Sequence, residues 1–140
     1  MKKKLILIGL AVLFFAIFFS AALIPHRTLE YDMDIKVGTD KIIGINVGTD
    51  AIHFGKVPSM KISGASAEAV RELSVYSGDA DVSVRVKMSG DLGQWVTAEP
   101  SKFYLGKNQT KAVTLTARMP YDIEPGIYTG KVTVIMLKAY

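Results

Sequence analysis

The chain has 140 residues, with 17 basic against 13 acidic side chains and no cysteine. That length suits one folded domain, and the lack of thiols excludes a disulfide framework and thiolate metal sites. The net charge of +4 falls to +1 once Lys2, Lys3 and Lys4 are set aside. The remainder therefore lacks the concentrated basic footprint of a nucleic-acid-binding surface.

Those three lysines precede an uninterrupted run of apolar and small residues from Leu5 to Ile24. Twenty helical residues span about 30 Å, the thickness of a bilayer hydrocarbon core. The run has no polar face, which argues against a buried core helix. Two readings stay open. The first is a retained signal anchor that contacts the lipid bilayer through residues 5–24, with a cytoplasmic N-terminus set by the lysines. The second is a signal peptide cleaved after Ala22, since Ser20-Ala21-Ala22 offers the small residues such a site needs. The run outlasts a usual signal core and continues through Leu23 and Ile24, which favours the anchor. Both readings place residues from about Pro25 onward outside the cytoplasm. The expected division is a lysine stub and anchor over 1–27 and an extracytoplasmic domain over 28–140. Without disulfides that domain must rely on its core, and about 110 residues suffice. Its amides are few, Asn46, Asn108, Gln94 and Gln109 alone, a usage seen in thermophile proteins.

From Thr28 onward the pattern has period two. Tyr31–Val37, Ile42–Val47 and Ala51–Phe54 fit short strands. The tetrapeptide Val-Gly-Thr-Asp occurs twice among them, at Val37–Asp40 and Val47–Asp50. Its glycines follow apolar-alternating runs and its Asp and Thr side chains can bond the local backbone, so the repeat is expected to punctuate strand ends. A rival reading gathers Asp40, Asp50, Asp79 and Asp81 into a calcium site. Calcium takes six to eight oxygens, and the sequence has no dense acidic loop to supply them. A phosphate loop would need a Lys-Ser or Lys-Thr after the glycines, and none is there. Ser66–Arg71 could form one helical turn, with a strand following over Val70–Tyr76.

Asp81–Ser89 is the clearest strand, with Val82, Val84, Val86 and Met88 on one face and Ser83, Arg85 and Lys87 on the other. Lys102–Leu105 fits a further short strand. Ala112–Met119 repeats the clear alternation, and Tyr128–Met136 does so again. Turn clusters stand at Ser77-Gly78-Asp79, Ser89-Gly90-Asp91, Gly106-Lys107-Asn108 and Glu124-Pro125-Gly126. Strands at this spacing predict an all-β antiparallel sandwich of about 7–9 strands.

No catalytic constellation is recognisable. His26 and His53 occupy unlike settings, a membrane boundary and a strand surface, and make a poor metal pair. No nucleophile motif accompanies the serines, and the carboxylates are scattered. A non-enzymatic protein without a cofactor is expected. Asn108-Gln109-Thr110 is a glycosylation sequon in a predicted turn on the exported side. Trp95, the single tryptophan, either caps the core or anchors a partner. Val132–Leu137 is apolar on both faces through Ile135 and Leu137. Either this strand lies centrally, or it is an open edge that pairs with another chain.

The order of signals T-D-A-I-H-F-G-K-V-P at Thr49–Pro58, S-G-D-L-G-Q-W-V at Ser89–Val96, P-S-K-F-Y-L-G-K-N-Q-T at Pro100–Thr110 and M-P-Y-D-I-E-P-G-I-Y-T-G-K-V-T-V at Met119–Val134 resembles immunoglobulin-like β-sandwich domains of exported prokaryotic proteins, archaeal ones especially, including the ASH/Hydin-like and NEW3-like groups. The resemblance covers roughly Asp50–Leu137. It implies an immunoglobulin-like sandwich with an adhesive, scaffolding or assembly role and carries no catalytic residues. The expectation is thus a single-pass protein of the cytoplasmic membrane that displays this domain outside and contacts a protein partner in the envelope. The alternatives are an extracytoplasmic domain that binds carbohydrate or calcium, and an accessory subunit that orients a membrane enzyme.

Overall fold

The computed structural model describes residues 26–39, 51–64 and 66–139. Alternation of apolar and polar side chains governs nearly all of them. The elements are β1 (Arg27–Gly38), β2 (Ile52–Pro58), α1 (Met60–Ser63), β3 (Glu68–Tyr76), β4 (Val82–Ser89), α2 (Gly90–Gly93), β5 (Val96–Glu99), β6 (Lys102–Leu105), β7 (Thr110–Arg118) and β8 (Gly126–Lys138). The strands form a five-stranded sheet in the order β2-β1-β8-β4-β6 and a three-stranded sheet in the order β3-β7-β5. From β2 onward every connection passes from one sheet to the other.

The predicted inward residues are the core. Val82, Val84, Val132, Val134 and Met136 of the larger sheet and Val113, Leu115 and Ala117 of the smaller are wholly buried in one cluster. Each of the Val, Leu and Met side chains stabilises the fold by about 1.5–3 kcal/mol relative to exposure. The all-β, two-sheet expectation therefore holds, and the strands run longer than alternation alone marked. Tyr31–Val37 lies in the second part of a twelve-residue β1, which begins four residues earlier at Arg27.

Two expectations are corrected and one open alternative is decided. The sandwich is not wholly antiparallel, because β1 and β2 pair in parallel, Met33 with Ile52 and Val37 with Val57. Thirteen residues separate Gly38 from Ile52, which meets the dozen or so that a parallel connection requires. Ser66–Arg71 forms no helical turn, since β3 begins at Glu68 and pairs with β7. The one-turn helix lies earlier, at Met60–Ser63, where Gly64 in a left-handed conformation ends it. Finally, β8 is not an edge. It lies between β1 and β4 and pairs with β1 from Arg27↔Met136 to Val37↔Gly126. Val132, Val134 and Met136 face the core, while Ile135 and Leu137 are half-buried on the outer face beside Arg85 and Ser83 of β4.

The strand predicted over Ile42–Val47 and the anchor predicted over residues 5–24 lie outside the described residues. No described helix is long and apolar enough to cross a membrane.

Candidate interaction surface

The register of the strands gives the sandwich two ends, which can be called near and far with respect to the start of β1. At the near end lie Arg27, the β3–β4 turn (residues 77–81), the β6–β7 turn (residues 106–109) and Lys138. At the far end lie Gly38, α1 and the β7–β8 loop (residues 119–125).

Each end is closed by a buried serine. At the near end the Ser77 hydroxyl donates to the Gly106 carbonyl (2.7 Å) and accepts from the Gln109 N–H (3.0 Å). The Asn108 N–H donates to the Gly78 carbonyl at 2.7 Å, so the two turns form one unit. At the far end the Ser59 N–H donates to the Gly38 carbonyl (3.0 Å) and its hydroxyl to the Ile123 carbonyl (3.3 Å). Among the described residues these two serines are the buried polar side chains. Their hydrogen bonds offset the cost of removing a hydroxyl from water.

The residues singled out by sequence are distributed as follows. Trp95 is half-buried, and its ring meets Tyr128 edge-on with centroids 5.6 Å apart. Its position closes the core beside α2. Ile135 and Leu137 are half-buried on the outer face of the central strand, opposite Arg85 and Ser83 of β4. Ile135 is paired on both sides, with Thr28 and Arg85, and offers no strand edge, whereas Leu137 lies one residue past the end of the β1 pairing and is paired with Ser83 alone. Asn108 is exposed at the near end with φ 58°, a left-handed conformation that asparagine tolerates, and its side-chain oxygen accepts from the Tyr76 hydroxyl at 3.0 Å. Asp79 and Asp81 share the β3–β4 turn, and the Asp81 carboxylate accepts from the Lys107 N–H at 2.6 Å. Asp40 and Asp50 lie outside the described residues, as does the second copy of the tetrapeptide. In the first copy, Gly38 ends β1, as the punctuation reading expects. Among the described residues no three His, Cys, Asp or Glu side chains are placed to hold a metal ion.

Parallel pairing creates contacts that alternation does not mark. Asp34 and His53 fall opposite each other, and His53 Nδ1 lies 2.6 Å from Asp34 Oδ2. Arg71 of β3 reaches the edge of β2, where Nε donates to the His53 carbonyl at 2.8 Å and a second nitrogen reaches the Phe54 carbonyl at 3.5 Å. One guanidinium thus covers the edge of β2 that would otherwise present bare acceptors to another chain.

Two surfaces remain as candidate sites. The far end exposes large apolar side chains, Ile127 at 71 %, Tyr121 at 64 % and Ile62 at 54 %. The second surface is an open groove of about 580 Å³ on the outer face of the larger sheet, lined by Asp32, Asp34, Asp91 and Lys131 beside Gly90 and Gly130. Comparison with family models, with curated proteins and with solved structures returned no match.

Proposed function

We propose that the protein is a single-pass membrane protein that displays an immunoglobulin-like sandwich outside the cytoplasmic membrane and acts there as a non-enzymatic interaction or structural module of the cell envelope. The observation that carries this reading is the origin of β1. Only Pro25 and His26 separate the apolar run ending at Ile24 from the first residue of that strand. The strand then pairs with β8 along almost its whole length and with β2 over its second half. A helix in the bilayer would therefore continue directly into the larger sheet, in the strand beside its central one. The immunoglobulin-like assignment is supported by the two sheets, their shared core and the repeated crossing of the chain between them.

In this reading the far end is what the anchor presents to a partner. Ile62, Tyr121 and Ile127 give it apolar anchors, and tethering to a surface makes binding a high-local-concentration event. Crosslinking of the full-length protein in its native membrane, followed by mass spectrometry, tests the proposal. One reproducible envelope protein joined through Lys61 or its neighbours supports it. Crosslinks that are absent, or scattered over all faces, refute it.

The acidic groove favours a second reading, an extracytoplasmic ligand-binding domain for carbohydrate. Sugar hydroxyls would donate to Asp32 and Asp91 there, whereas no three described acidic side chains are placed to hold a calcium ion. Calorimetric titrations with a panel of oligosaccharides that leave no heat of binding remove it.

A further inference from the structure

The near end of the sandwich carries an unbalanced group of charges. Arg85 of β4 stands directly opposite Lys102 of β6, and the same row continues to Ile135 and Thr28. Like charges in directly opposed strand positions destabilise a sheet. Among the described residues no carboxylate is paired with either cation. Arg27 and Lys107 are exposed at the same end. Asp81, one of the two acids in the turn there, has its carboxylate engaged by the Lys107 N–H.

The next row, closer to the end, is Tyr104, Ser83 and Leu137. Tyr104 is 60 % exposed. Local desolvation, a hydrogen bond to Asp81 and the repulsion of its charge hold the Tyr104 phenol above its ordinary pKa. An exposed tyrosine and half-buried aliphatic side chains flanked by Arg and Lys have the composition of a membrane–water boundary.

We infer that this end, through Arg27, Arg85, Lys102 and Tyr104, rests on the anionic phospholipid headgroups of the bilayer, so that the domain stands upright. The inference rests on the anchored reading of residues 5–24. Its geometry is simple. From Ile24 to Arg27 the chain reaches at most about 10 Å. A headgroup layer is roughly 5–8 Å thick. The tether spans little more than that layer, and Leu137, Lys138 and the two turns extend past Arg27 toward the bilayer, so the near end reaches into the headgroups. Arg85 and Lys102 then meet phosphates, which relieve their mutual repulsion. The far end stands about 36 Å further out, at ~3.3 Å per residue of β1. Asn108 falls in the contact zone, where a glycan would hold the domain away from the bilayer.

The chain has no cysteine, so single labels are unambiguous. Full-length variants Leu13→Cys, Asp79→Cys and Ile62→Cys would each carry a fluorophore in vesicles of phosphatidylcholine and phosphatidylglycerol. A lipid spin-labelled on its acyl chain quenches the first if the apolar run is inserted, which tests the anchor by itself. A lipid spin-labelled on its headgroup is expected to quench the label at position 79 several-fold more than that at position 62. Adding R85E and K102E is expected to reduce quenching at position 79 without altering the near-ultraviolet dichroism of Trp95. Quenching at position 13 with equal, weak quenching at positions 79 and 62 would overturn the inference and spare the anchor. No quenching at position 13 would remove both. A glycan on Asn108 in the native protein, read from intact mass, would also overturn the contact.

Discussion

Gly130→Ala adds one methyl group to the central strand, and its cost can be worked from the structure. The new Cβ would stand 2.6 Å from the Ser89 carbonyl oxygen, 2.7 Å from Met33 Cε and 3.2 Å from Gly93 N. Met33 Cε is the end of a flexible side chain and can rotate aside. The Ser89 oxygen is backbone, at the junction of β4 and α2, and must move by about half an ångström or more. Overpacking of this kind costs roughly 1–3 kcal/mol, against a gain of about 0.4–1 kcal/mol from a less flexible unfolded chain. The net expectation is a loss of about 1–2 kcal/mol, or roughly 5–10 °C in Tm for a domain of this size. Thermal unfolding of the full-length protein in detergent, followed by Trp95 fluorescence, reads it, since Tyr128 packs on that ring. Two companions separate sterics from conformation. Gly126→Ala meets only Tyr128 Cε2 at 3.9 Å and is expected to be neutral or slightly stabilising. Gly78→Ala meets nothing within 4 Å but has φ +74°, so it should cost about 1 kcal/mol through backbone strain alone. A Gly130→Ala protein as stable as the parent would refute the close approach of α2 to β8.

Arg71→Met keeps the bulk of the side chain but uncovers the His53 and Phe54 carbonyls; a loss of about 1–2 kcal/mol is expected in urea titration, with a rise in self-association by sedimentation. The Asp34–His53 contact is predicted to contribute about 1 kcal/mol of coupling in a double-mutant cycle of Asp34→Asn and His53→Gln, and additivity would show it to be idle. Ile62→Ser, Tyr121→Ser and Ile127→Thr remove exposed apolar surface, so each should change stability by less than about 0.5 kcal/mol while lowering the yield of the partner crosslink. Crosslink yields unchanged by the three together would shift the partner site away from the far end.

The strands were legible wherever one face is buried and the other wet. Val82–Ser89 and Ala112–Arg118 show this alternation without interruption, and their inward residues are the core. Val96–Glu99 carried no mark of its own, because its Val-Thr-Ala-Glu has one large apolar side chain, whereas the equally short Lys102–Leu105 has Phe103, Tyr104 and Leu105. Partnership was far less legible than existence. The Asp34–His53 contact and the Arg71 bridge depend on which strands lie side by side, and periodicity is silent about that. The two apolar faces of Val132–Leu137 were visible, but burial between neighbours and exposure at an edge leave the same mark on a sequence. The far-end patch was invisible for a related reason: Ile62, Tyr121 and Ile127 come from three separate segments that only the fold brings to one end.

The central claim is that a domain held by its core is carried on an uncleaved membrane helix, and intact mass of the native protein after alkaline carbonate extraction tests it most directly. The account predicts a species of about 15.3 kDa, with Met1–Ile24 present, retained in the membrane pellet. A shorter species beginning at Leu23 and released into the supernatant would contradict it, and with it the orientation of the sandwich on the bilayer.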